Sequence, residues 1–137
     1  MKKILLLFVL TVYSNLSFGQ TSSIDYKTYY NSAITFLTNG DYDNALNSIN
    51  KSIMINPTNA DSYYIRGNVY QKKVNYLNAI RDYQKAIKLN PNHIDAISKC
   101  GISYAKMNDK ATACRYFKRA CDMGSDDGCN VYSRFCK

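Results

Sequence analysis

The sequence predicts an all-α chain: a right-handed α-solenoid of three helical hairpins, closed by one C-terminal capping helix. Three observations carry that expectation. The chain repeats itself without gaps over 26–59, 60–93 and 94–127, each unit being 34 residues long. Within a unit, apolar and small residues recur at three- and four-residue spacing, which places them on one stripe of a helix. Turn-forming residues fall at the same two places in every unit, so each unit is a pair of antiparallel helices.

The chain opens MKKILLLFVLTVYSNLSFGQ. Two lysines, an apolar run from Ile4 to Tyr13 and then small and polar residues are the layout of a secretory signal peptide over 1–19, with Ser17 and Gly19 as the small residues before a cut at Gln20. The run is short for a bilayer span, so a retained anchor is the weaker alternative. Residues 20–25 lead in to the repeats. Beyond the cut the chain is long enough for one domain and holds no further membrane-spanning stretch. Cleavage removes Lys2 and Lys3 and lowers the formal charge from +8 to +6. Every acidic residue is Asp, and the basic residues are spread along the chain except for Arg115, Lys118 and Arg119. Spread charge reads as a solvated surface, and export argues against a nucleic-acid partner.

The matched columns explain how the helices pack. Tyr29, Tyr63 and Ile97 are large; Ala33, Gly67 and Gly101 are small; Phe36, Tyr70 and Tyr104 are aromatic. In the second helix of each unit, Ala45, Ala79 and Ala113 are small, Ile49, Tyr83 and Phe117 large, and Ser52, Ala86 and Ala120 small again. Small residues let the paired helices approach, and large ones fill the space between them. Asn39-Gly40, Lys73-Val74-Asn75 and Asn108-Asp109 mark the turns inside the hairpins. Pro57 and Pro91 end the first two units, each after an Asn held away from helical geometry.

These units resemble the tetratricopeptide repeat, and the middle one does so most fully, in YYIRGNVY and the closing KAIKLNPN. The resemblance covers 26–127 and implies a concave groove lined by the first helix of each unit, where such proteins hold peptides or partner helices. By register the groove-lining residues are Tyr30, Asn31 and Ile34, then Tyr64, Ile65, Asn68 and Gln71, then Ser98, Lys99 and Ile102. Chaperone adaptors of this family clamp a C-terminal carboxylate with Lys and Asn. The corresponding positions hold Tyr30, Ile34, Ile65, Asp95 and Lys99, and only Lys99 fits. The resemblance therefore implies a protein or peptide partner of another kind.

Four of five cysteines lie in the tail, CRYFKRACDMGSDDGCNVYSRFCK. A stack of hairpins leaves its last apolar face uncovered, and residues 128–137 are the expected capping helix. Folding it back through Gly124, Ser125 and Asp126 makes residues equidistant from position 125 face each other. Cys121 and Cys129 are four residues either side, and Cys114 and Cys136 are eleven either side. Seven-residue spacing keeps both cysteines of a helix on one side. Two nested disulfides, Cys121–Cys129 and Cys114–Cys136, are expected in an oxidising compartment. ACDMGSDDGC also resembles the cysteine-rich Sel1-like repeat proteins, where a cysteine ending one repeat pairs eight positions on; that likeness extends to Cys121 and Cys129 alone. A structural zinc site is the rival use of the thiols, and six-residue gaps fit its spacing poorly. Cys100 is left over as a buried free thiol.

No catalytic constellation, metal site or cofactor site emerges. His93 follows a repeat-ending proline and reads as a surface residue; Asp41, Asp61 and Asp109 sit at turns and helix starts, where carboxylates cap. Ser48-Ile49-Asn50-Lys51 has the Ser-x-x-Lys spacing of penicillin-recognising enzymes without their companion motifs. The expected function is non-catalytic binding of a protein or peptide in the groove, as an exported adaptor or scaffold, periplasmic or secreted. A Sel1-like cell-wall or β-lactam-interacting enzyme and a self-associating structural subunit are the alternatives.

Overall fold

The computed structural model describes residues 25–137; the expected leader over 1–19 and most of the lead-in lie outside the described residues. Seven helices and no strand are found among the described residues: α1 Tyr26–Thr38, α2 Tyr42–Ile55, α3 Ala60–Lys72, α4 Tyr76–Leu89, α5 Ile94–Lys106, α6 Lys110–Asp122 and α7 Asp126–Phe135. They form hairpins α1–α2, α3–α4 and α5–α6, stacked in order, with α7 laid on α6.

The repeat is visible in the caps. Asp25, Asn59 and His93 cap the first helix of each hairpin, and Asp41, Asn75 and Asp109 cap the second; each side chain accepts a backbone N–H from the first turn. That bond satisfies one of the donors a helix start leaves free. The turn column before the second cap holds Gly40, Val74 and Asn108, all with φ between 60° and 77°. Glycine and asparagine tolerate this left-handed backbone. Valine, branched at Cβ, does not, and Val74 is held there at a strain on the order of 1–2 kcal/mol.

Large residues of one helix sit on small residues of its partner. A Cβ added to Gly67 would come within 2.6 Å of the Tyr83 ring, one on Gly101 within 2.8 Å of Phe117, and one on Gly128 within 2.8 Å of the Ala120 Cβ. The main core gathers Tyr63, Ala79, Ile80, Tyr83, Ala86, Ala96 and Cys100; a second cluster joins Ala33, Ile49 and Ile65 across the first two units. Polar ties cross between units. Arg66 grips the buried carboxylate of Asp82 through Nε at 2.7 Å and Nη2 at 2.8 Å, and its Nη1 donates to Asn50 of the preceding unit at 2.8 Å. The Ser52 and Ser62 hydroxyls, both buried, lie 3.1 Å apart where α2 gives way to α3.

The cap begins two residues before its expected start and stops two before the chain end. Ser125 accepts the Gly128 N–H at 3.0 Å, and Asp126 and Asp127 occupy the first turn, where the helix dipole favours negative charge. Gly124 makes the turn at φ +91°. Across it the structure joins Cys121 to Cys129, with Cα atoms 4.4 Å apart, and Cys114 to Cys136, at 5.7 Å. Cys100 is free and buried.

Candidate functional site: the inner face

The first helices of the hairpins meet along one side of the stack, α1 against α3 and α3 against α5. Their flanks form an inner face with an opening at each end. At the N-terminal end a cavity of about 240 Å³ is lined by Tyr26, Lys27, Tyr30, Asn31, Asn59 and Asp61. At the C-terminal end another of about 200 Å³ lies between α5 and the cap, lined by Asp95, Ser98, Lys99 and Ile102 of α5, Phe117 of α6, and Ser125, Asp127, Gly128 and Val131 of the cap and its lead-in.

Five of the ten residues expected to line the groove open into these cavities. Tyr30 and Asn31 open into the first cavity; Ser98, Lys99 and Ile102 open into the second. Ile34 packs against the cluster of Ala33, Ile49 and Ile65. Ile65 does not line the groove: at 8% exposure it belongs to that core, because its helix face is turned toward the first unit rather than outward. Asn68 and Gln71 are committed internally. The Tyr83 hydroxyl donates to Asn68 Oδ1 at 2.8 Å, and Gln71 Nε2 donates to Ser103 Oγ at 3.1 Å, tying α3 to α5. The Oδ1 of Asn68 is thus taken up by a phenol whose ring is fully buried.

Tyr64 stands between the two cavities. Its ring centroid is 4.8 Å from that of His93 and 6.0 Å from that of Tyr83. His93 is not the surface residue the sequence suggested. Its side chain is 9% exposed; Nδ1 accepts the Ala96 N–H at 3.3 Å, and Nε2 faces Asp61 at 3.2 Å, near enough for attraction but out of line for a hydrogen bond. The cap position draws the ring inward, onto Tyr64. Burial raises the phenols of Tyr30 and Tyr64, and the neighbouring Asp61 carboxylate adds to the effect in both. These rings stay neutral, and offer area with a hydrogen-bonding tip.

Sequence reasoning missed the contribution of the cap. Asp127 and Val131 of α7 complete the second cavity, whereas the sequence marks residues 128–137 only as a lock. It also missed Tyr26, Lys27, Asn59 and Asp61 at the other end. The 34-residue register held a signal for Asp61, since Asp95 occupies its place one unit later. Elsewhere, Lys51 of the Ser-x-x-Lys stretch has its ammonium 5.4 Å from the Tyr29 ring, on the other helix of its hairpin.

Stacked helical hairpins around an open inner face define an all-α helical-repeat protein. The repeat is the tetratricopeptide repeat: family models of that description match 60–93 and 95–122, a further model described as a TPR repeat matches 35–74, and the chain is a tetratricopeptide-repeat protein. Among solved structures, the chain is similar to the first TPR of Spaghetti (RPAP3) bound to an HSP90 peptide, at 18% identity over 82% of this chain and 90% of that one, with a TM-score of 0.77. The TPR2B domain of yeast Sti1 in complex with an Hsp70 peptide is 21% identical over 81% of this chain and 95% of its own, also at 0.77. MamA is 27% identical over 72% of this chain, which spans 58% of the MamA chain, at 0.70. The first two likenesses concern the fold alone. No curated protein sequence matches the chain. The matched repeat models extend no Sel1-like feature into the tail.

Proposed function

We propose that the protein is exported and binds a protein or peptide partner along its inner face, as a non-catalytic adaptor or scaffold. The observation that carries this reading is the inner face itself: two cavities at the ends of one surface, separated by the half-buried ring of Tyr64. A segment lying across it has a place for a side chain at each end and a flat ring between them. Neighbours of the same fold, by their descriptions, hold HSP90 and HSP70 peptides. The partner of this chain differs in chemistry from an acidic C-terminus. The carboxylate-clamp positions hold Tyr30, Ile34, the buried Ile65 and Asp95, leaving Lys99 as the one cation among them. Export is supported by the lysine-led apolar start and by cysteines placed in bonding pairs.

Two measurements test the reading. N-terminal sequencing of protein recovered outside the cytoplasm is expected to begin at Gln20; recovery of the chain from the cytoplasm alone would remove the export claim. For binding, immobilised wild type and a Tyr30→Ala/Lys99→Ala variant of equal melting temperature are offered the native cell fraction and cross-linked. A partner retained by wild type should cross-link to α1 or α5 and bind the variant at least tenfold more weakly, as hot-spot contacts do. Equal retention by both would take the inner face out of the function.

A further inference from the structure

The edge of the stack at which each hairpin turns has a character of its own. Lys73 Nζ meets Asp43 Oδ1 at 2.6 Å between the first and second turns, Gln71 bonds Ser103 between the second and third hairpins, and Lys110 Nζ lies 5.3 Å from the Phe135 ring at the end of α7. These contacts set the α1–α2, α3–α4 and α5–α6 turns and the last turn of α7 along one side. Most of the exposed large apolar residues among the described ones gather here: Val74 at 66%, Leu77 at 51%, Met107 at 47% and Phe135 at 38%. Lys72, Lys106 and Lys110 stand among them, exposed. The carboxylates of this side are engaged or remote. Asp41 and Asp43 belong to the first turn, with Asp43 held by Lys73; Asp109 caps α6 on the Thr112 N–H at 3.0 Å. From the second turn onward the exposed lysines Lys72, Lys106 and Lys110 face one carboxylate, Asp109, and the edge is net basic and apolar.

Val74 is a second, independent observation. Its repeat partners are Gly40 and Asn108, residues suited to positive φ, whereas Val74 keeps an unfavourable φ of 60° with its side chain in water. Neither backbone geometry nor packing explains a valine there. A strained, exposed apolar residue points to a role in contact with something else.

We propose that this edge docks the protein on an anionic lipid surface, with Val74, Leu77 and Met107 entering the headgroup boundary and Lys72, Lys106 and Lys110 meeting lipid phosphates. Val74 and Leu77 flank the second turn, Met107 sits at the third, and none of them lines either cavity of the inner face. They suit a surface that yields around each of them better than a folded partner, which would need a socket for every one. Lysine stems can lie along the apolar side chains while their ammonium groups reach the phosphates. Each lysine near an anionic leaflet strengthens binding roughly fivefold. No helix among the described residues is long and apolar enough to cross a membrane, so the contact is at the surface. Docking uses helix ends, and the inner face, built from helix flanks, stays open to its partner.

The chain contains no tryptophan, so a single introduced one reports its own surroundings. Leu77→Trp marks the edge; Met54→Trp, at a site 81% exposed near the end of α2, marks the opposite side. With phosphatidylcholine vesicles containing phosphatidylglycerol, Leu77→Trp emission should shift to the blue and be shielded from an aqueous quencher. It should not do so with phosphatidylcholine alone, and Met54→Trp should not change with either. Because the reporter is local, residues 1–24 cannot produce this pattern. Added to the Leu77→Trp chain, Lys72→Ala/Lys106→Ala/Lys110→Ala should weaken the vesicle response by about two orders of magnitude, and salt should weaken that of the unaltered edge. Val74→Asn, copying the next repeat, should raise the melting temperature while lowering vesicle affinity. The proposal is overturned if Leu77→Trp does not shift, or if both tryptophans shift alike. It is equally overturned if soluble polyglutamate gives the shift and vesicles do not, which would assign the edge to an acidic protein, or if concentration of the protein alone gives it, which would assign it to a second copy.

Discussion

Gly67 shows how little room a single position leaves. The Tyr83 ring that a new Cβ would meet is fully buried and held by its hydroxyl to Asn68, so the ring cannot swing aside without losing that bond. Gly67→Ala should therefore destabilise the fold by about 1–3 kcal/mol, despite the better helix propensity of alanine. Denaturant unfolding measures this, and an unchanged or raised midpoint would show that α3 and α4 can move apart. Arg66 is the polar counterpart. Its guanidinium fork reaches two oxygens of Asp82 and the amide of Asn50, a geometry a lysine ammonium cannot reproduce. Arg66→Ala leaves the Asp82 carboxylate, 8% exposed, without its partner. The expected loss is about 3 kcal/mol, the low end for a broken buried pair because Arg66 itself reaches water. Urea unfolding of this variant beside Asp82→Ala checks it; a loss below about 1 kcal/mol in both would show that water replaces the pair.

Among the elements, α7 has ten residues, too few to persist alone in water. Its attachment rests on Gly128 set against Ala120, Phe135 edge-on to Phe117 with ring centroids 6.0 Å apart, and the two cysteine pairs. The disulfides close separations of 8 and 22 residues and should contribute about 2–3 kcal/mol each. Reduction should lower the melting temperature, and amide exchange should accelerate first in α7 and the second half of α6. Peptide mapping without reductant should recover these two links and a free Cys100; a link from Cys100 to the tail would contradict the arrangement. Because α7 walls the second cavity, reduction should also loosen the partner surface at Lys99, which Cys114→Ser/Cys136→Ser would reproduce without reductant.

Across the molecule, the buried interior resists ionisation. Burial pushes the Cys100 thiol up to about 11 from an ordinary value of 9.0, and Tyr116, beside it, up to about 12. Tyr83 is raised further by burial. In each case the folded chain keeps a proton that the unfolded chain gives up sooner. Stability is then full below about pH 9 and falls as pH rises toward 11. Wild type should lose melting temperature across that window, and Cys100→Ala should lose less; parallel curves would show that the thiol takes no part. The same protection should make Cys100 alkylate slowly in the folded protein at about pH 8.

Local periodicity was enough to establish the repeat, its hairpins and the small–large contacts within each hairpin. Ala33, Gly67 and Gly101 could be read as close approaches, and the symmetry of the tail about position 125 could be read as a hairpin, since both depend only on helical geometry. Which groove positions are available was settled only when the units packed together. Ile65 and Asn68 have the register of recognition residues, yet the packing of the second unit on the first turns Ile65 into the first hairpin, and the Tyr83 hydroxyl claims Asn68. His93 stands in a cap column that otherwise holds Asp and Asn, and its burial against Tyr64 depends on a contact 29 positions away in sequence. The walls supplied by Asp61 and Asp127 come from different helices, and no periodicity within one helix shows what the next will bring beside it.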